Sequence, residues 1–157
     1  MDAVQATEHR PLAGYAALTA TFLTAVAGAA VLSRATGRGT PERIGAGDVV
    51  MMGVATHKLA RLISKDRATA FLRAPFTAYQ GASGQGEVEE EPRGEGARLA
   101  LGELLVCPYC LGQWVSAGFA AGLVLAPRQT RLIAATYTAE AIADFLQLAY
   151  LAAEKRA

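Results

Sequence analysis

Long apolar stretches separated by short polar segments dominate the pattern of this chain. The first stretch covers residues 11–33 and contains no charged side chain. About 20 apolar residues in a helix cross a hydrocarbon core of roughly 30 Å. Three further stretches, over residues 49–64, 104–126 and 132–153, follow the same pattern with a few charges. The pattern therefore predicts an all-α integral membrane bundle of about four transmembrane helices.

The first apolar stretch has a second interpretation, a cleaved signal peptide. The small residues 25–27 offer a cleavage site, and Arg10 fits a basic n-region. That region is only weakly basic, however, since it also holds Asp2 and Glu8, and the apolar stretch is longer than a usual signal core. We therefore expect a retained membrane helix.

The polar segments predict the remaining organisation. Residues 65–76 mix basic with apolar side chains, which is typical of a short helix at the membrane surface. Residues 77–98 are rich in glycine and glutamate and predict a flexible, solvated acidic loop without chemistry. Three aromatic residues are expected interfacial anchors: Phe71, Phe76 and Trp114.

These boundaries divide the chain into three parts. Residues 1–43 form an N-terminal tail with an additional transmembrane helix. Residues 44–153 form the main membrane domain, with a cytoplasmic loop over 65–103, and residues 154–157 are a tail. With four crossings, eight Lys and Arg residues lie on the side of the termini against five on the other. The positive-inside rule then places both termini in the cytoplasm of a bacterial inner membrane.

The composition of the chain limits the kinds of partner that it is expected to bind. Hydrophobic residues make up 52% of the chain, charged residues 18%, and the net charge is +1. No basic stripe with interleaved aromatics is visible, so nucleic acid is not an expected partner. We expect membrane lipids and a protein partner or a second copy of the chain instead.

The two cysteines lie in the sequence Cys107-Pro108-Tyr109-Cys110, at the head of the third apolar stretch. A helix N-terminus stabilises a thiolate, which makes Cys107 a candidate nucleophile and Cys110 its resolving partner. Thiols on the cytoplasmic side stay reduced. Two alternatives remain open: a structural pair, or a zinc site completed by His57 or by the cysteines of a second subunit.

Charged residues inside the predicted bundle form a second candidate site. His57 and Arg61 lie one turn apart on one helix, as do Glu140 and Asp144 on another. An unpaired charge near the bilayer centre costs about 2.5–3.5 kcal/mol on insertion scales. We therefore expect the two pairs to face each other, as a structural clasp or as part of an ion or proton pathway.

Two blocks carry a resemblance to a known family. One reads K-L-A-R-L-I-S-K-D over residues 58–66, followed by F-L-R-A-P-F over 71–76, and the other reads G-E-L-L-V-C-P-Y-C-L-G-Q-W over 102–114. This pattern resembles a family of small bacterial membrane proteins, domain of unknown function 1360, with sporulation-protein-like members. Tyr109 departs from the tryptophan expected there. The resemblance covers about residues 44–153 and implies a bacterial membrane protein, but supplies no reaction, substrate or cofactor.

The sequence thus favours a small accessory or scaffold protein of the inner membrane over an enzyme. The alternatives are a membrane thiol–disulfide oxidoreductase that uses Cys107 and Cys110, a metal-binding dimer, or a transporter fragment built on the intramembrane charges. No cofactor is expected apart from zinc in the metal-binding alternative.

Overall fold

Six helices and one two-stranded antiparallel sheet make up the part of the chain described here, residues 10–41 and 43–156, in a computed structural model. Most of the predicted N-terminal tail lies outside these residues. The elements in chain order are α1 (Leu12–Ala35), α2 (Ala46–Lys65), α3 (Ala70–Arg73), β1 (Thr77–Ala82), β2 (Val88–Pro92), α4 (Gly96–Val106), α5 (Pro108–Leu125) and α6 (Pro127–Glu154).

Helix α2 lies between α5 and α6 and forms most of the core with them. Ala55, Phe119 and Ala134 are buried at the centre, and small side chains there let the helices approach closely. The Thr138 hydroxyl donates a hydrogen bond to the Met51 carbonyl at 2.7 Å, which ties α6 to α2. This three-helix core holds the start of α5, and with it the cysteines.

An ion pair fixes the other end of the contact between α2 and α6. The Nε and Nη2 nitrogens of Arg131 donate to the Asp48 carboxylate, at 2.9 and 2.8 Å respectively. These hydrogen bonds, which outweigh the effect of burial, hold the pKa of Asp48 below its usual value of 3.8. Asp48 lies in the first turn of α2, where a negative charge also favours the helix dipole.

Helix α1 packs against α4 and α5 through its N-terminal half. A Cβ atom on Gly14 would lie 2.6 Å from the Cβ of Ala100, so glycine is required for this contact. The Tyr15 hydroxyl donates to the Glu103 carboxylate at 2.5 Å. Most of the remaining surface of α1 is exposed.

The prediction of four transmembrane helices is wrong. Among the described residues, α1 is the one helix that is by itself long and apolar enough to cross a membrane. Helices α4 and α5 pass that test only together, as one span bent by 84°. Helices α2 and α6 carry charged residues along their length, which lowers their apolar character. The assignment of both termini to the cytoplasm rested on four crossings and falls with them.

The predicted flexible acidic loop is a β-hairpin. Strands β1 and β2 pair from Thr77 opposite Pro92 to Ala82 opposite Val88, with an irregularity between Tyr79 and Gly81. Gly84 and Gly86 both have positive φ values in the connecting turn, a backbone conformation that residues other than glycine rarely adopt. The all-α prediction is corrected accordingly: the fold is mostly helical with a small sheet.

The predicted interfacial helix is much shorter than its sequence segment. Helix α2 continues to Lys65, and only the four residues of α3 are helical after it. The Asp66 carboxylate accepts the Ala68 N–H at 2.7 Å, which turns the chain between the two helices. Residues 66–76 therefore contain a turn and the short helix α3, and they lead into the hairpin.

Candidate thiol–disulfide site

The two cysteines lie at the corner between α4 and α5. Cys107 ends α4 and is the N-cap of α5, and Pro108 is the first residue of α5. Proline suits this position because its missing N–H would have no partner in the helix and its φ is already helical. The corner turns the chain by 84°, so the cysteines stand at the exposed head of α5.

Cys107 and Cys110 are joined as a disulfide, with their Cα atoms 5.3 Å apart. That separation lies within the usual range for disulfides. The Cys110 N–H also donates to the Cys107 sulfur, with nitrogen and sulfur 3.2 Å apart. A donor at a helix N-terminus stabilises negative charge on the atom that accepts from it. The sequence suggested a reduced pair, but the structure holds the oxidised one.

A small cavity lies beside this corner, between α2 and the first turns of α5. It has a volume of about 280 Å³, and His57, Arg61 and Tyr109 are among its lining residues. The Thr56 hydroxyl is buried there without a hydrogen-bond partner. Tyr109, one of the two residues between the cysteines, is 92% exposed and so is accessible to a partner.

The predicted zinc ligands are not brought together. Among the described residues, no three His, Cys, Asp or Glu side chains are placed so that they could hold a metal ion. The two cysteine sulfurs are used in their own bond, and His57 lines the cavity on the side of α2.

The predicted charge clasp exists with a different basic partner. Lys58, and not His57 or Arg61, meets the two carboxylates of α6, at 2.7 Å from Asp144 and 3.4 Å from Glu140. One residue along a helix rotates the side chain by about 100°, because a turn holds 3.6 residues. Lys58 is thereby turned towards α6, whereas His57 and Arg61 point towards α5 and the hairpin.

The clasp changes the titration of Lys58. Burial alone would lower the pKa of Lys58, but the hydrogen bond to Asp144 and the charges of Asp144 and Glu140 outweigh it and raise the pKa above 10.5. A group with a raised pKa stabilises the fold below its ordinary value, and this stabilisation is lost as the pH rises through the folded-state value.

We therefore expect Lys58→Met to lower the free energy of unfolding by about 0.2–1 kcal/mol at neutral pH, since both carboxylates are about half exposed. The difference between the wild type and this variant should shrink above pH 10.5. Urea unfolding of the detergent-solubilised chain across this range measures it. Lys155→Met, in the exposed tail, is the control, and an equal loss there would contradict the clasp.

Three ion pairs connect the acidic strand to the basic segment that precedes it. Both Arg61 and Lys65 on α2 pair with hairpin glutamates, Arg61 with Glu87 at 2.6 Å and Lys65 with Glu89 at 3.1 Å. In the third pair, Arg73 of α3 donates to Glu90 and both side chains are almost completely buried. We call these six residues the charge lattice. It includes Arg61, which was predicted to face α6.

The three predicted interfacial anchors have different surroundings. Phe71 on α3 is 70% exposed, and Phe76 is half-buried at the start of the hairpin. Trp114 packs edge-on against Phe22 of α1, with ring centroids 5.1 Å apart. Of these three residues, Phe71 therefore presents the most exposed aromatic ring.

Comparison with known proteins places this chain in a family. The family described as "Protein of unknown function (DUF1360)" matches residues 51–150, which include most of α2, the charge lattice and both cysteines. The chain belongs to this family. The resemblance carried by residues 58–76 and 102–114 is thereby confirmed, and α1 lies outside the matched region.

A relative with a recorded name supports the same family assignment. The chain is 38% identical over 74 residues to "Sporulation protein YjcA" of Bacillus subtilis (strain 168). The match covers 45% of this chain and 62% of that protein, so it spans less than two thirds of the relative. No solved structure matches the chain.

Several site residues were missed by sequence reasoning. Lys58 and the hairpin glutamates form charge pairs, whereas the sequence predicted His57 and Arg61 as the basic partners of α6 and a solvated loop for the glutamates. A signal for the hairpin was present, because glycines at 84 and 86 separate two short segments that contain β-formers such as Tyr79 and Val88. The pairs of the charge lattice join residues 17 to 26 positions apart, and Lys58 lies 86 positions from Asp144, separations that no local pattern reports.

Proposed function

We propose that this chain is a membrane-attached thiol–disulfide exchange protein whose reactive pair is Cys107 and Cys110. The observation that carries the proposal is the bond between these residues at the head of α5, where the Cys107 sulfur also accepts the Cys110 N–H. A cysteine at a helix N-terminus with such a donor is stabilised as a thiolate, which is the reactive form in exchange.

The exchange follows from this geometry and balances in electrons. In the reduced state, the Cys107 thiolate attacks one sulfur of a partner protein's disulfide and releases the other sulfur as a thiolate. Cys110 then gives up its proton and attacks the Cys107 sulfur of the mixed disulfide, which forms the intrachain bond and frees the partner as a dithiol. Two electrons pass to the partner, and a dithiol protein or two small-molecule thiols return the pair to its reduced state.

Helix α1 supplies the membrane attachment in this proposal. Arg38 and Arg43 follow α1 and Arg34 lies in its last turn, whereas Arg10 precedes it among the described residues. The positive-inside rule then places the C-terminal end of α1 on the cytoplasmic side of the membrane.

The alkylation rate of each cysteine against pH tests the proposal. We expect Cys110→Ser, which leaves only Cys107, to show a rate midpoint at least one pH unit below the value of about 8.5 for free cysteine. Cys107→Ser, which leaves only Cys110, is the matched control and should lie near that value. A midpoint near 8.5 for both single-cysteine variants would rule out an activated nucleophile.

A specific surface favours a second function, docking of a protein partner. Phe71 and Leu72 are 70% and 49% exposed on α3, and the neighbouring Arg73 fixes this helix in place. Exposed apolar side chains on a rigid support are suited to binding another protein. The relative's name adds sporulation as a setting in which such an accessory protein would act.

The docking function predicts a position-specific loss of binding. Phe71→Ser should abolish cross-linking of the chain to its partner in cells, because it removes the exposed ring. The charge lattice that holds α3 in place stays intact in this variant. Tyr79→Ser, at another exposed aromatic residue of the same region, should leave cross-linking unchanged. An equal yield for both variants would show that α3 is not the docking surface.

A further inference from the structure

An apolar groove runs between α1 and α5 on the side away from the core. It has a volume of about 520 Å³ and its walls come from residues 22–33 of α1 and 114–124 of α5. The Phe22–Trp114 contact closes one end. Small residues leave the groove open, and a Cβ atom on Gly118 would meet nothing within 4 Å.

The opposite end of the groove is basic. A second cavity of about 430 Å³ adjoins it at Val124 and is lined by Arg38 and Arg128, with no carboxylate among its described lining residues. The Arg38 guanidinium donates to the Leu125 carbonyl, which holds this side chain over the end of α5. Helix α6 begins at Pro127, so its N-terminal N–H groups also favour an anion there.

The length of the groove indicates its occupant. From Phe22 to Ser33 the helix rises by roughly 16 Å at 1.5 Å per residue. Half of a hydrocarbon core of roughly 30 Å is about 15 Å, the depth that one acyl chain occupies in a single leaflet. An apolar channel of this length with guanidinium groups at one end matches one chain of an anionic lipid and its phosphate.

We propose that this groove binds one acyl chain of an anionic membrane phospholipid, with the phosphate between Arg38 and Arg128. The basic end of the groove favours an anionic lipid over a zwitterionic one. The open apolar wall favours a lipid over free phosphate. The inference rests on α1 lying in the membrane, which is the anchoring part of the proposed function, and on no thiol chemistry.

Trp114 provides the readout, since it is the only tryptophan of the chain and lies at the closed end of the groove. The full chain is reconstituted in phosphatidylcholine vesicles that contain a small fraction of lipid with brominated acyl chains, which quench nearby tryptophan fluorescence. We expect brominated phosphatidylglycerol to reach half-maximal quenching at about one tenth of the mole fraction needed for brominated phosphatidylcholine, because charge-assisted hydrogen bonds hold its head group.

Two variants separate the parts of the site. Arg128→Gln should reduce the preference for phosphatidylglycerol, and Gly118→Leu should fill the groove and reduce quenching by both lipids. Their matched controls are Arg156→Gln in the exposed tail and Gly28→Leu on α1, where an added side chain also meets nothing within 4 Å but does not line the groove.

Three results would overturn the inference. Equal quenching by both lipids would mean that Trp114 contacts bulk lipid only. No quenching by either lipid in vesicle-bound protein would mean that another occupant, such as a second copy of the chain, covers the groove. Equal effects of Gly118→Leu and Gly28→Leu would place the lipid elsewhere on α1. If the chain does not bind vesicles at all, α1 does not attach it to a membrane, and this fourth result would overturn the anchoring part of the proposed function together with this inference.

Discussion

Replacing Arg73 by alanine is expected to lower the free energy of unfolding by about 3–5 kcal/mol. The Arg73 side chain is 0% exposed and its partner Glu90 is 5% exposed, so the variant would leave a carboxylate buried without its counter-charge. Arg73 also donates to the Ile63 carbonyl at 2.6 Å and to the Asp66 carbonyl at 2.9 Å. It therefore joins the end of α2, α3 and β2 at one point.

Urea unfolding of the detergent-solubilised chain measures this loss. Arg67→Ala is the matched control, because Arg67 is an exposed arginine of the same segment, and its loss should stay within about 0.5 kcal/mol. The double variant Arg73→Met with Glu90→Leu should recover much of the stability, since it removes both charges. If Arg73→Ala is too unstable to purify, Glu90→Gln gives the same comparison. A loss no larger than that of Arg67→Ala would contradict the buried pair.

Adding one methyl group at Gly102 is expected to destabilise the chain by about 1–3 kcal/mol. A Cβ atom there would lie 2.7 Å from the Phe76 carbonyl oxygen and 3.2 Å from the Cβ of Pro92. That carbonyl accepts the Arg93 N–H at 2.9 Å and is held in the hairpin, so it cannot move aside without breaking this bond. Helix α4 packs directly on the backbone of the hairpin at this point.

Gly118→Ala is the control, and its expected effect on the stability of the chain is opposite to that of Gly102→Ala. Both glycines lie in helices, but the space around Gly118 is open, so alanine there should stabilise the chain by about 0.5–1 kcal/mol through its helix propensity. Thermal unfolding of the two variants side by side separates the steric cost from the propensity gain. A stabilised Gly102→Ala would show that α4 does not approach the hairpin as closely as described.

The parts of the fold that sequence reasoning predicted are those with local causes. Pro108 marks the start of α5 because its ring fixes φ and removes a donor, and both effects act on neighbouring residues alone. The uncharged run of residues 11–33 likewise reports a candidate span without any tertiary information. The cysteines at a helix head follow from the same local rules.

The parts that it missed depend on contacts between distant segments. Glutamates 87, 89 and 90 resemble a solvated charge run, since glutamate has low strand propensity and the bases that pair with them lie 17 to 26 residues earlier. The face that α2 turns towards α6 is likewise set by the packing of Ala55 against Ala134, and this selects Lys58. Neither the partners of the glutamates nor the orientation of α2 can be predicted from the periodicity of one segment.

The turn at residues 83–86 determines which glutamate is buried. Successive strand residues point to opposite faces, so a one-residue insertion in this turn would move Glu90 to the water side and bring an adjacent glutamate opposite Arg73. The same insertion would misalign the partners of Arg61 and Lys65. The number of residues in this turn therefore sets the register of all three ion pairs. A change in the length of the turn would be tolerated far less than a change in the length of an ordinary surface loop.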